Sequence, residues 1–188
     1  MKFIFFLLSI SFTATNSIVL DRQQLIAWFP SNYNSTTLVE LTGRQITAVN
    51  ANTFPGLVNL YELYLNKNGI NKFEPNTFDG LPNLRYLSIW GNQLTYISPV
   101  LFEELVLLEY LYLDNNQLAS VDANLFTPML NLKFLGLYNN KIIAIDRSIF
   151  VGLVNLQQVW LGTNPISSTQ PSYVRQLCST NPKCTIIL

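Results

Sequence analysis

The chain has 188 residues, 49% of them hydrophobic and 13% aromatic, with 11 basic against 11 acidic side chains and no histidine. That length suffices for one folded domain with a sizeable core. The balanced charge argues against nucleic acid or an anionic membrane surface as the main partner, since both are bound chiefly through an excess of lysine and arginine.

The chain starts with Met1-Lys2 and an almost unbroken apolar run from Phe3 to Phe12. A positive start followed by a run too short to span a bilayer reads as a signal peptide over residues 1–17. Small residues at Thr15 and Ser17 suit a cut before Ile18, and a cut one or two residues earlier fits equally well. The alternative, an N-terminal membrane anchor, lacks any stop-transfer pattern behind it. No second apolar run of about 20 residues follows, so no membrane span is expected. The last residues, Thr185 to Leu188, are far shorter than a lipid-anchor tail of about 10–20 residues. The expectation is a secreted, extracellular protein.

Residues 18–35 read as an N-terminal cap. Leu25, Ile26, Trp28 and Phe29 cluster there, behind an Asp21/Gln24 pair spaced like a capping box. A solenoid exposes the apolar end of its core unless a terminal unit covers it, which gives this segment a task without any ligand. Asn34-Ser35-Thr36 fits the acceptor pattern for N-glycosylation and places Asn34 at the surface of a secreted chain.

Residues 36–166 are repetitive. Phe54, Phe78, Phe102, Phe126 and Phe150 recur every 24 residues, as do Asn68, Asn92, Asn116, Asn140 and Asn164. The unit reads L-x-x-L-x-L-x-x-N-x-I/L, preceded by a degenerate copy at Leu38–Ile46 with Arg44 in the asparagine position. Such a period marks a solenoid in which each repeat contributes one short strand to a parallel sheet. Leu63/Leu65, Leu87/Ile89, Leu111/Leu113, Leu135/Leu137 and Val159/Leu161 point inward. The phenylalanines are expected to stack as a column on the return path. The asparagines are expected to bond turn backbones in a ladder, because a buried amide is costly unless its donors and acceptors are met.

Residues 167–188 read as a C-terminal cap, with a short helix over Pro171–Leu177 leading to Cys178. Cys178 and Cys184 are the only cysteines, an even count in a chain read as secreted, so a disulfide between them is expected. Their spacing and the missing histidine exclude a C-x-x-C redox or zinc motif; no metal and no cofactor are expected.

The 24-residue unit with F-x-x-L on its return path resembles the extracellular leucine-rich-repeat family of Slit proteins, Toll-like receptor ectodomains and the variable lymphocyte receptors of jawless fish. The resemblance covers about two thirds of the chain. It implies an α/β solenoid: a right-handed superhelix with a short-stranded parallel sheet on its concave face and irregular or 3-10 turns on its convex face. It further implies that the concave face binds a protein, or in some members a glycan or lipid, through the outward strand residues. The cysteine-knotted N-terminal cap of that family is missing here, and its C-terminal cap is reduced to two cysteines. An invertebrate-type variant and a piece of a longer receptor both stay open.

The outward positions read Glu62, Tyr64, Asn66; Tyr86, Ser88, Trp90; Tyr110, Tyr112, Asp114; Phe134, Gly136, Tyr138; Gln158, Trp160, Gly162. Eight of these fifteen are aromatic where the chain average would give about two, and the inward positions carry none. Exposed aromatic patches mark binding sites, with tyrosine and tryptophan as anchors. The alternative is that strands favour aromatics and neighbouring rings stack along the sheet. The candidate ligand-binding residues are Tyr64, Tyr86, Ser88, Trp90, Tyr110, Tyr112, Asp114, Phe134, Gly136, Tyr138 and Trp160. In the middle column, Tyr64, Ser88, Tyr112, Gly136 and Trp160 alternate large and small, which predicts aromatic-walled pits at Gly136 and at Ser88. Catalysis is not expected, since histidine, a G-x-S-x-G elbow and a free cysteine are all missing. The function expected is binding of an extracellular protein or a glycan. Self-association as a matrix protein through the same face is the alternative, and the oligomeric state is open.

Overall fold

The computed structural model describes residues 17–30, 33–179 and 181–188. The expected signal peptide therefore falls outside the described residues except for Ser17. The residues ahead of the repeats supply strand β1 (Ile18–Leu20) and helix α1 (Arg22–Trp28). Asp21 caps that helix, its Oδ1 accepting from Gln24 N–H at 2.8 Å. Leu25 is fully buried, and Trp28 and Phe29 pack against the core.

The repeats contribute β2 (Leu38–Glu40), β3 (Ile46–Val49), β4 (Glu62–Tyr64), β5 (Lys72–Phe73), β6 (Tyr86–Ser88), β7 (Tyr110–Tyr112), β8 (Phe134–Gly136) and β9 (Gln158–Trp160). After β9 come two short helices, α2 (Pro165–Thr169) and α3 (Pro171–Arg175), and then β10 (Thr185–Ile187). The main sheet has seven parallel strands in the order β10-β9-β8-β7-β6-β4-β2, and a second sheet of three runs β1-β3-β5. Register follows the repeat: Leu63 pairs with Leu87, Leu87 with Leu111, Leu111 with Leu135 and Leu135 with Val159. This is the leucine-rich-repeat solenoid, with irregular turns and 3-10 stretches at Pro99–Phe102 and Arg147–Phe150 on the return path.

Each inward strand residue from Leu63 to Leu161 is buried, as are Phe54, Phe78, Phe102 and Phe126. Phe78 stacks between Phe54 at 5.9 Å and Phe102 at 6.0 Å. The asparagine ladder forms as expected. Asn116, for example, donates from Nδ2 to the carbonyls of Ile89 and Leu113, each at 3.1 Å, and accepts from Leu94 N–H at 3.1 Å. Asn68, Asn92, Asn140 and Asn164 repeat these contacts on their own repeats. Directly before each of these asparagines the turn residue adopts a left-handed backbone, at Lys67, Gly91, Asn115, Asn139 and Thr163.

A second ladder runs along the outside. Asn59, Asn83, Asn131 and Asn155 donate to the carbonyls of Asn34, Val58, Val106 and Leu130 at 2.8 to 3.0 Å. On the row just ahead of the strands, Glu109 bridges Arg85 at 2.6 Å and Lys133, which links three successive repeats. The Lys133 ammonium, and then the Arg85 guanidinium, hold the Glu109 carboxyl below its ordinary range against the opposing effect of burial.

The residues after the last repeat hold more structure than expected. The helix expected over Pro171–Leu177 forms over Pro171–Arg175, and a further short helix, Pro165–Thr169, precedes it across Gln170, where φ −136° and ψ 51° leave helical space. The last residues do not merely trail. Strand β10 pairs in parallel with β9, Thr185 opposite Gln158 and Ile187 opposite Trp160, and thereby extends the concave sheet. Val174, Leu177 and Cys178 close the core behind it, and Cys178 is bonded to Cys184 across a Cα separation of 5.6 Å.

Candidate binding face

The aromatic residues of the concave face form two groups that share Trp160. One group forms a zigzag of rings in mutual contact, from Tyr64 to Tyr86 at 4.9 Å, Tyr86 to Tyr112 at 5.1 Å, Tyr112 to Phe134 at 4.6 Å and Phe134 to Trp160 at 5.0 Å. Tyr110 flanks it, 6.0 Å from Tyr86. Phe134 is only 8% exposed inside this row. Burial pushes the Tyr64, Tyr86 and Tyr112 hydroxyls above the usual range, and Tyr64 also donates to Glu62 Oε2 at 2.6 Å. Ring stacking along the sheet therefore accounts for much of the aromatic excess, and these rings support one another as well as facing outward.

The second group is Trp90, Tyr138 and Trp160. Together with Asp114, Asn115, Gly162, Ile187 and Leu188 they line a cleft of about 470 Å³. Trp90, Asp114, Tyr138 and Gly162 are consecutive members of the third outward column, held in register by main-chain bonds from Gly91 N–H to Asp114 O, Asn115 N–H to Tyr138 O and Asn139 N–H to Gly162 O, at 2.9 to 3.0 Å. Tyr138 and Trp160 are 43% and 41% exposed, enough to offer ring surface. Gly162 is required at its position, because a β-carbon there would stand 2.8 Å from the main chain of Leu188 and 3.2 Å from the Tyr138 ring.

The pits expected at Gly136 and Ser88 are not open. A β-carbon on Gly136 would meet Asp114 at 2.0 to 2.8 Å, because the Asp114 side chain folds over the glycine and Oδ1 accepts from Tyr138 N–H at 2.9 Å. Ser88 is buried to 1% exposure beneath Asn66, whose Oδ1 accepts from Ser88 Oγ at 2.6 Å and from Trp90 N–H at 3.2 Å. Small residues in the middle column make room for the side chain of the preceding repeat, not for a ligand. Ser88, Asp114, Phe134 and Gly136, all placed facing solvent by strand alternation, are thus buried. The open space lies one column away. Asn115, Gly162, Ile187 and Leu188 complete it, and the candidate residues read from the sequence omitted all four. Gly162 carried a signal, as an outward glycine beside two aromatics. Ile187 and Leu188 carried none, since nothing in three residues announced a strand.

The sequence model of the family described as Leucine rich repeat matches residues 35–94, 59–118 and 107–166, which together run from 35 to 166. The chain belongs to the leucine-rich-repeat family. No curated protein matches it in sequence. Among solved structures, this leucine-rich-repeat protein is similar to a chain of the Toll–Spatzle complex of Drosophila, with a TM-score of 0.72 at 19% identity. The match covers 81% of this chain and 21% of that one. The glycosylated form of the same complex gives 0.71 at 19% identity, over 80% and 21%. The APL1 leucine-rich-repeat domain gives 0.68 at 24% identity, over 81% of this chain and 39% of that one. The chain spans about a fifth of the Toll–Spatzle structure's matched chain, and the likeness at these identities is one of fold.

The electrostatics of the leucine-rich-repeat cleft centre on Asp114. Burial pushes its carboxyl up to about 6, against the pull of hydrogen bonds from Tyr138 N–H and its own amide. Among the described residues it forms no ion pair. Lys67 does not line the cleft; its Nζ sits 4.8 Å from the ring centroid of Trp90. No group of histidine, cysteine, aspartate or glutamate among the described residues could hold a metal, and no helix among them is long and apolar enough to cross a membrane.

Proposed function

We propose that this chain is a secreted, non-catalytic binding module that recognises an extracellular protein through its concave face. The observation that carries the reading is the cleft, where the exposed rings of Tyr138 and Trp160 and the half-buried ring of Trp90 surround a hollow large enough for a side chain of a partner. Toll, which shares the fold, is found in complex with Spatzle, and this supports a protein as the partner class. A carbohydrate ring could also lie on such aromatic surface, and a glycan is the second ligand class the same test would detect.

Secretion rests on the charged, apolar start and is consistent with the Cys178–Cys184 disulfide. Asn34 is exposed in a 3-10 turn, where a glycan would meet no obstruction from its own side chain's burial. Mass spectrometry of secreted material should show a chain starting near Ile18 and a sugar-sized increment on the peptide containing Asn34; an intact Met1 would rule out the leader.

The binding test is a pull-down from extracellular fluid, comparing the parent with a Tyr138→Ala/Trp160→Ala double variant. Both positions are more than 40% exposed, so the variant should fold. Loss of the captured protein in the variant supports the concave face. Unchanged capture moves the site to the convex side or flanks.

A further inference from the structure

The chain contains two versions of one local device, and the difference between them points to a ligand. In the first, Asn66 folds over Ser88 and its Oδ1 accepts from the main-chain N–H of Trp90. In the second, two repeats later, Asp114 folds over Gly136 and its Oδ1 accepts from the main-chain N–H of Tyr138. The structural task is the same: cover a small residue and satisfy one backbone donor of the next repeat. A neutral amide performs it at position 66. At position 114 the chain uses a carboxylate that is 8% exposed and forms no ion pair among the described residues. Burying a charge is costly unless it is paired. The charge therefore returns nothing to the fold that an asparagine would not.

What distinguishes the second position is the cleft. Asp114 lies between Trp90 and Tyr138 in the same column, so ring, carboxylate and ring follow at the strand spacing of about 4.8 Å. The two rings are then on the order of 9–10 Å apart, which leaves room for one side chain between them above the carboxylate. Trp160 closes a third side. A cation over an aromatic face is attracted by the ring quadrupole, and more strongly once desolvated. Trp90 already holds the Lys67 ammonium at 4.8 Å.

We propose that the cleft is a cation site that takes a protruding arginine or lysine side chain of the protein partner, its charge meeting Asp114 and its faces the rings of Trp90, Tyr138 and Trp160. This rests on the reading that the concave face binds protein, and names the partner's anchoring chemistry. Besides Asp114, the charged or titratable groups at the site are Lys67, outside the cleft above Trp90, and the hydroxyls of Tyr138 and Tyr112. The main-chain carboxyl group of Leu188 also borders the cleft, beside Gly162, so Asp114 is the one side-chain carboxylate of the lining and Asp114→Asn isolates its share of the charge contrast.

The test titrates the purified chain with N-acetyl-arginine-N-methylamide and with its neutral isostere, N-acetyl-citrulline-N-methylamide, following tryptophan fluorescence. Two of the three tryptophans line the cleft. The arginine probe should saturate and bind at least tenfold more tightly than the citrulline probe. Asp114→Asn, which position 66 shows to be compatible with the fold, should cut that preference severalfold. Trp160→Leu, at an exposed position, should weaken the arginine probe independently of Asp114. Equal binding of both probes to the parent, or an arginine preference undiminished in Asp114→Asn, overturns the proposal. Partner capture separates the two levels of argument. Capture retained in Asp114→Asn but lost in Tyr138→Ala/Trp160→Ala overturns the cation site and leaves the concave face standing. Capture retained in both overturns the concave face itself.

Discussion

The Asp114 carboxylate occupies the space that a β-carbon on Gly136 would need, with Oδ2 only 2.0 Å from where that atom would stand. Gly136→Ala should therefore expel the carboxylate and leave Tyr138 N–H without its acceptor. A buried donor left unpaired costs about 1–3 kcal/mol. Urea unfolding of the parent, each single variant and the Gly136→Ala/Asp114→Ala double would show this as non-additivity, the glycine substitution costing less once Asp114 has gone. A Gly136→Ala variant as stable as the parent would show that the seat is not needed.

The same carboxylate sets a pH dependence. Its folded value of about 6 lies above its ordinary 3.8, so the native state holds the proton more tightly than the unfolded chain. The stability this group contributes is full below the unfolded value and is lost as pH rises through the folded one. The difference is on the order of 2–3 kcal/mol. Measured against Asp114→Asn, the parent should gain stability as the buffer is taken from about pH 8 to about pH 4. Glu109 works the other way, its lowered value making its contribution fade on acidification, but it is common to both proteins and cancels. A parallel pair of stability curves would contradict the prediction.

The two asparagine ladders should differ in weight. Asn116→Ala removes the only acceptor of the buried Leu94 N–H, while the carbonyls of Ile89 and Leu113 keep bonds from Asn92 and Asn140. Its cost should be about 1–3 kcal/mol, with a small addition for the cavity. Asn131→Ala frees only the carbonyl of Val106, at an exposed residue that water can reach, and should cost less than about 1 kcal/mol. Denaturant midpoints of the two variants decide the order, and equal losses would mean that the outer ladder is as structural as the inner one.

Thr163 is the β-branched member of the left-handed turn row, at φ 58°, where the preceding repeats use Asn139 and Asn115. A β-branched residue is strained in this region by roughly 1 kcal/mol, whereas asparagine tolerates it. Thr163→Asn should raise the melting temperature by roughly 2–4 °C for a chain of this size. Calorimetry of the two proteins would check it; a lower midpoint would mean that the threonine makes a contact worth more than its strain.

The repeat was legible because a buried leucine, phenylalanine or asparagine recurs at a fixed step and each has one physical task there. Asn116 could be assigned to a ladder before its partners were known. The outer ladder was not legible, because Leu107 stands where the pattern needs an asparagine and the remaining members fall among ordinary surface asparagines. The large-small alternation of the middle column was also visible, but its meaning was not. Strand alternation gives the direction of a side chain and says nothing of whether a neighbour leans across it, as Asn66 leans over Ser88 and Asp114 over Gly136. The same limit applies to the zigzag of rings, where outward direction coexists with burial of Phe134. Strand β10 escaped because three residues hold no period, and only pairing with β9 defines them.

The hydrogen bonds of the main sheet all run from one repeat to the next, so they lie along the long axis of the solenoid. Tension applied between the two ends of such a body is carried by those bonds one interface at a time, and never by all strands sharing the load sideways. The weakest interface yields first, and each release lengthens the molecule by a whole repeat. The Cys178–Cys184 bond spans six positions beyond the last repeat and encloses none of the interfaces. It can hold the terminal cap together under pull, but every joint between repeats is left to hydrogen bonds and packing alone.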